Sequence, residues 1–218
     1  MRRELLYITT IAVGLFVSAE YAQWPVDLWC IGTFLYLYVT TDRKERIEML
    51  AVLGFATPME LFFSEVWLIY EYQRGLMPLF VPVGHYFLFD LGRRVAKKIP
   101  HSSPIYLILA LLPFVLYGAV KGTDTSAVLL IILTFGFIRW GPEPRLYAAM
   151  VWLALAMELW GTYLGNWTWA PTVPFTRLTA WNPPLLVGAF YCFGDLLVNL
   201  SVAKFEGQPM AEVNHDVL

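Results

Sequence analysis

Eight apolar stretches follow one another with only short polar breaks, at approximately 5–22, 26–41, 47–70, 76–92, 105–120, 125–138, 146–164 and 183–203. Roughly 17 to 25 apolar residues make a helix that crosses hydrocarbon, where every backbone polar group must be paired inside its own segment. The expected fold is therefore all-α, a polytopic transmembrane helical bundle of about eight spans. The second and sixth stretches are short for a perpendicular span and also fit interfacial or re-entrant segments. The first, with Arg2-Arg3 before it and Val17-Ser18-Ala19 near its end, has the outline of a secretory signal. A retained helix forming a hairpin with the second stretch is the preferred reading.

Composition names the same solvent. The chain is 58% hydrophobic and 15% charged, whereas soluble domains carry about a quarter charged residues. Fifteen Lys and Arg against 17 Asp and Glu leave a formal charge of −2, so no basic field exists to attract nucleic acid. Cys30 and Cys192 both lie in apolar runs and read as small packing residues rather than a disulfide or metal pair.

The basic residues are unevenly shared between alternate loops. With the N-terminus inside, Arg2, Arg3, Arg43, Lys44, Arg46, Arg93, Arg94, Lys97, Lys98, Arg139, Arg145 and Lys204 fall on the inner side, and only Arg74, Lys121 and Arg177 on the outer. This is the bias of inner loops in membrane proteins. It places both termini in the cytoplasm, in a plasma or inner membrane.

The two halves resemble each other. Met59-Glu60-Leu61 recurs as Met157-Glu158-Leu159, and Tyr70-x-Tyr72 as Trp167-x-Trp169. Pro78 then recurs as Pro183, and Asp90-Leu91 as Asp195-Leu196, after an outer loop eight residues longer. Four matches in order describe a duplication: a first four-helix repeat over 1–98, a second over 99–204, and a polar cytoplasmic tail over 205–218. Two repeats of even span number share one orientation, so their axis runs along the membrane normal and brings the third and seventh spans together.

Ionisable groups at depth are costly, about 2.5 to 3.5 kcal/mol each on insertion scales, and mark cavities or partners. Glu60, His85 and Glu158 fall near mid-depth, and they are the candidate catalytic residues. Two close carboxylates cannot both ionise cheaply, so one of the pair is expected to hold a proton, a general acid beside a general base. The competing reading makes each glutamate polar glue between helices. Asp90 precedes Arg94 by one turn and is expected to pair with it. Asp195 has only Asn199 one turn on, and its lack of a cation keeps it among the candidate substrate-binding residues. Trp24, Trp67, Tyr70, Tyr72, Tyr163, Trp167, Trp169 and Trp181 read mostly as an outer interfacial belt. Trp160, Tyr163, Trp167 and Trp169 also bracket Gly161 and Gly165, whose spacing lets a helix or a flat apolar ligand approach. They complete the candidate substrate-binding set, as an aromatic wall able to stabilise a carbocation. Asn166-Trp167-Thr168 is formally a glycosylation sequon. His101 and His215 are too scattered for a metal cluster, and no phosphate-cradling glycine loop occurs, so neither metal nor cofactor is expected.

Glu158-x-x-Gly161-x-x-x-Gly165, followed by Trp167-x-Trp169 and a proline-bearing loop, resembles a motif of integral-membrane carotenoid-biosynthesis proteins of the hydratase and cyclase type. The resemblance covers some 25 residues. The chain departs from that motif in lacking a Pro-Phe-Gly element and in carrying Trp where Tyr is usual. It implies a long polyene or other isoprenoid substrate, with Glu158 protonating a double bond. The expected function is acid/base chemistry on an isoprenoid-like or other lipid. The alternatives are a small proton-coupled transporter or flippase, and an accessory subunit that docks on a membrane-protein partner or a second copy.

Overall fold

The computed structural model describes residues 3–206, which form a helical bundle. The tail expected over 205–218 lies, from residue 207 onward, outside the described residues, as do Arg2 and His215. Helices α1 (Arg3–Glu20) and α2 (Trp24–Thr40) form a hairpin, followed by α3 (Arg43–Leu61) and α4 (Phe80–Ala96). Helices α5 (Pro104–Leu109), α6 (Leu112–Lys121), α7 (Ala127–Trp140), α8 (Pro144–Tyr163) and α9 (Val187–Glu206) complete the bundle. Two short strands, β1 (Tyr70–Tyr72) and β2 (Trp167–Trp169), follow α3 and α8.

Local chemistry sets the boundaries. Asp42 caps α3 by accepting from the backbone N–H of Glu45 at 2.9 Å. Pro25 and Pro144 stand in the first turns of α2 and α8, where a missing N–H costs nothing. Pro113 has the opposite effect in the fifth apolar stretch. It cannot donate to the turn before it, and the helix breaks at Ala110 and Leu111 into α5 and α6. Pro58 lies inside α3, which widens over Phe62–Val66 into a π-helical turn with Trp67 N–H on Phe62 C=O at 2.7 Å. Leu68 then takes a left-handed backbone (φ 56°) that turns the chain into β1.

Helices α3, α9, α8 and α4 close a ring, each packed on the next, with α1 and α2 against α4 on one side and α5 and α7 against α8 on the other. The strands pair antiparallel across one end of this ring, in the register Tyr70 with Trp169, Glu71 with Thr168 and Tyr72 with Trp167. The opposite end is ionic. Glu45 takes Arg3, Thr41 and the Tyr86 hydroxyl (2.6 Å), while Glu48 takes Arg93. Asp90 takes Arg94 and the Tyr7 hydroxyl, both at 2.9 Å, with Arg3 at 3.9 Å. The i,i+4 pair expected of Asp90 and Arg94 is thus part of a larger clamp.

Three helical segments are long and apolar enough to cross a membrane: Arg43–Val66, Pro104–Lys121 and Val187–Phe205. Ala127–Trp140 is a shorter apolar helix. The outer faces carry large apolar side chains in the open, among them Leu28, Leu35 and Val39 on α2 and Ile132, Leu133 and Phe135 on α7. Cys30 and Cys192 are free and buried.

A two-carboxylate cavity under a strand pair

One apolar cavity of about 140 Å³ lies within the ring of α3, α4, α8 and α9. Glu60, His85, Glu158, Trp167, Trp169 and Asp195 all line it, together with Tyr70, Tyr72, Phe63, Phe190 and Tyr191. Six side chains singled out from the sequence are thereby brought to one space.

The strand pair supplies the donors that hold the two acids. Glu60 Oε2 accepts from the hydroxyls of both Tyr70 and Tyr72. Glu158 Oε2 accepts from the indole N–H groups of Trp167 at 2.7 Å and Trp169 at 3.0 Å. Alternation along a strand turns residues i and i+2 to the same face, which is why each tyrosine or tryptophan pair reaches a single carboxylate. The helices add a second likeness: the hydroxyls of Ser64 and Thr162, each one turn beyond its glutamate, donate back to the carbonyls of Glu60 (2.9 Å) and Glu158 (2.7 Å).

His85 completes the Glu60 side. Its Nδ1 contacts the carbonyl of Val81 at 2.9 Å and its Nε2 faces Glu60 Oε1 at 3.1 Å, while its ring stacks on Tyr191 with centroids 5.3 Å apart. A carbonyl can only accept, so Nδ1 carries a hydrogen. The Nε2 to Oε1 contact then needs one further proton, held by either the imidazole or the carboxyl. Glu60 and His85 are a unit that stores one proton. Glu158 differs: among the described residues no hydrogen bond engages its Oε1, which leaves that oxygen for whatever enters the cavity.

Other sequence expectations come out differently. Tyr70, Tyr72, Trp167 and Trp169 are buried rather than part of an interfacial belt, because the strands turn them inward on the acids. Trp160 and Tyr163 do not line the cavity. They are turned by about 160° and about 140° around α8 from Glu158, given 100° per residue. There they stack on each other, 37% and 80% exposed, with Trp160 Nε1 on the carbonyl of Ala12 at 2.9 Å. Gly161 makes room for the indole of Trp167 rather than for another helix, and Gly165 takes φ 75° at the turn after α8. Asn166 is buried with its amide on the carbonyl of Leu15 at 3.0 Å, leaving no accessible acceptor for a glycan.

Two residues were missed. Asp27 Oδ1 accepts from Phe80 N–H at 2.8 Å, tying α2 to the start of α4, and Asp124 Oδ2 from Leu185 N–H at 3.1 Å, tying the turn before α7 to the segment before α9. Asp27 and Asp124 are 97 positions apart and Phe80 and Leu185 are 105 apart, the same offsets as the other repeated residues. That was the available signal. Among the described residues no group of three or more His, Cys, Asp or Glu is placed to hold a metal ion. No family model, curated protein or solved structure matches the chain.

Proposed function

We propose that this is a membrane-embedded enzyme that transfers a proton to a carbon–carbon double bond of an isoprenoid or similar unsaturated lipid. The observation that carries the reading is the pair of carboxylates, each gripped at one oxygen by two aromatic donors and both turned to one apolar cavity. An apolar space with a few converging polar groups is the usual form of a site for a hydrophobic ligand. The resemblance of the Glu158 region to carotenoid hydratases and cyclases points to the same substrate class.

In this mechanism Glu158 in its acid form gives the proton on Oε1 to one alkene carbon. The carboxyl becomes a carboxylate and the neighbouring carbon a cation. The rings of Tyr70, Tyr72, Trp167 and Trp169 lie where their π faces and the new carboxylate stabilise that cation. It resolves by losing an adjacent proton to a carboxylate, giving an isomer, or by adding water whose surplus proton passes to the same groups. Glu60 and His85, which already store one proton between them, are the reserve from which Glu158 is recharged.

The same proposal includes the finer architecture: two four-helix halves, eight membrane crossings and both termini on the cytoplasmic side. The strand register supports a two-fold relation, since Tyr70 and Tyr72 face the repeat mates of each other. The caps from Asp27 and Asp124 support it further, as do the exposed apolar faces of α2 and α7.

The test is chemical. Lipid extracts from a deletion strain and from Glu158→Gln and Glu60→Gln strains are compared by mass spectrometry. An accumulated precursor, with a missing product equal to it in mass or heavier by one water, is the expected result. Unchanged lipid profiles in all three strains refute an enzyme of this kind.

A further inference from the structure

The cavity has a second polar place. Asp90 on α4 and Asp195 on α9 are repeat mates, 105 positions apart, and so are the residues one turn beyond them, Arg94 and Asn199. Asp90 is neutralised by Arg94 and hydrogen-bonded by Tyr7. Asp195 is 4% exposed and lines the cavity, yet its Oδ2 has no hydrogen-bond partner among the described residues. Nδ2 of Asn199, one turn beyond Asp195, and the hydroxyl of Tyr147 are likewise buried without a partner, although neither residue is on the cavity lining. Buried polar groups left unmet are costly and rare, and here an acceptor and two donors are unmet together.

These groups specify what would satisfy them. A hydroxyl donates its hydrogen to Asp195 and brings lone pairs that a small turn of the Asn199 amide would meet. A carboxylate or phosphate offers Asp195 no hydrogen and adds a like charge. An ammonium group has no lone pair for Asn199. Asp195 lies one turn along α9 from Tyr191, the residue stacked on His85, and so about 6 Å nearer the ionic end than the acid pair.

We propose that Asp195, with Asn199 one turn beyond it on α9, is the subsite for the terminal hydroxyl of an elongated apolar lipid whose body lies along the cavity past Glu60 and Glu158. This rests on the reading of the cavity as a lipid site. Gly194, beside Asp195 on the same lining, leaves open space where a side chain would stand.

The experiment measures binding of tritiated geranylgeraniol and of its methyl ether to the full chain in nanodiscs, for the wild type, Asp195→Leu and Asp195→Asn. The wild type should prefer the alcohol by roughly ten-fold, the upper worth of one hydrogen bond between uncharged groups. Asp195→Leu should bring the two to parity without weakening the ether, and Asp195→Asn, which keeps an acceptor, should retain a preference. Replacing an unpartnered buried carboxyl by an apolar side chain does not endanger the fold; were Asp195→Leu to misfold, Asn199→Leu makes the same test. Equal binding in the wild type, as when water alone satisfies these groups, overturns the proposal, and so does a preference that survives Asp195→Leu. If neither compound binds the wild type, the lipid-site reading itself fails and takes this subsite with it.

Discussion

Tyr70 lies opposite Trp169 in the strand pair, with ring centroids 4.7 Å apart, yet their polar tips go to different acids: the phenol to Glu60 and the indole to Glu158. Packing between the rings and the grip on the acids are thus separate properties of one contact. Tyr70→Phe and Trp169→Phe keep an aromatic ring and remove a donor. Tyr70→Phe should lower stability by about 1.5 to 3 kcal/mol, the range for hydrogen bonds to charged groups, and Trp169→Phe, whose acceptor is the acid form of Glu158, by about 0.5 to 1.5 kcal/mol, each read as a lower thermal midpoint in detergent. Midpoints equal to wild type in both variants would show that these donors do not hold the carboxylates.

Gly161 has no room for a methyl group, since a Cβ there would stand inside the indole of Trp167. Gly161→Ala must push that ring off Glu158, at a cost of about 1 to 3 kcal/mol for overpacking. Product formation should fall with it, although neither the acid nor its donors are altered. Normal activity in Gly161→Ala would separate the Trp167 contact from catalysis.

Gly84, beside His85, lines the cavity with nothing near its missing Cβ. Gly84→Leu should fill the space and abolish lipid turnover, while the thermal midpoint stays level or rises because a helical glycine is replaced. A variant that keeps full turnover would place the substrate elsewhere.

Asp27 and Asp124 each accept from one backbone N–H near the start of a later helix, an equivalence that the proposed duplication requires. Asp27→Ala and Asp124→Ala each strand a backbone N–H and should each cost about 1 kcal/mol, as the loss of a helix cap does. The two sites share no partner, so the double variant should lose the sum, measured by thermal unfolding. A loss confined to one site would argue against equivalent halves.

Much of this site was legible because its residues are local exceptions to an apolar background. A glutamate between Met and Leu stands out, and its recurrence as Glu158 pointed to a shared space before any coordinates. The strands were not legible. Three residues are too few for a period of two to register, and the pairing of Tyr70 with Trp169 joins positions 99 apart, so no window of sequence contains it. Both aromatic pairs therefore read mostly as interface, where Trp and Tyr are common, and only Trp167 and Trp169 also as part of a substrate wall. Trp160 and Tyr163 were grouped with Trp167 by proximity along the chain, but the end of α8 falls between them, and helical rotation carries the first two away. The vacant surroundings of Asp195 were visible only as a missing arginine, the residue that Asn199 replaces.

The strand register has one more consequence. A strand that pairs antiparallel about its own middle residue is self-complementary, so on the proposed duplication a single four-helix unit could have built this seam with a copy of itself. In such a pair each side must remain identical to the other. Joining both in one chain removes that obligation. One side is then free to grip its acid with phenols and keep a histidine, while the other uses indoles and gives up an arginine, and a symmetric vessel acquires two unlike ends.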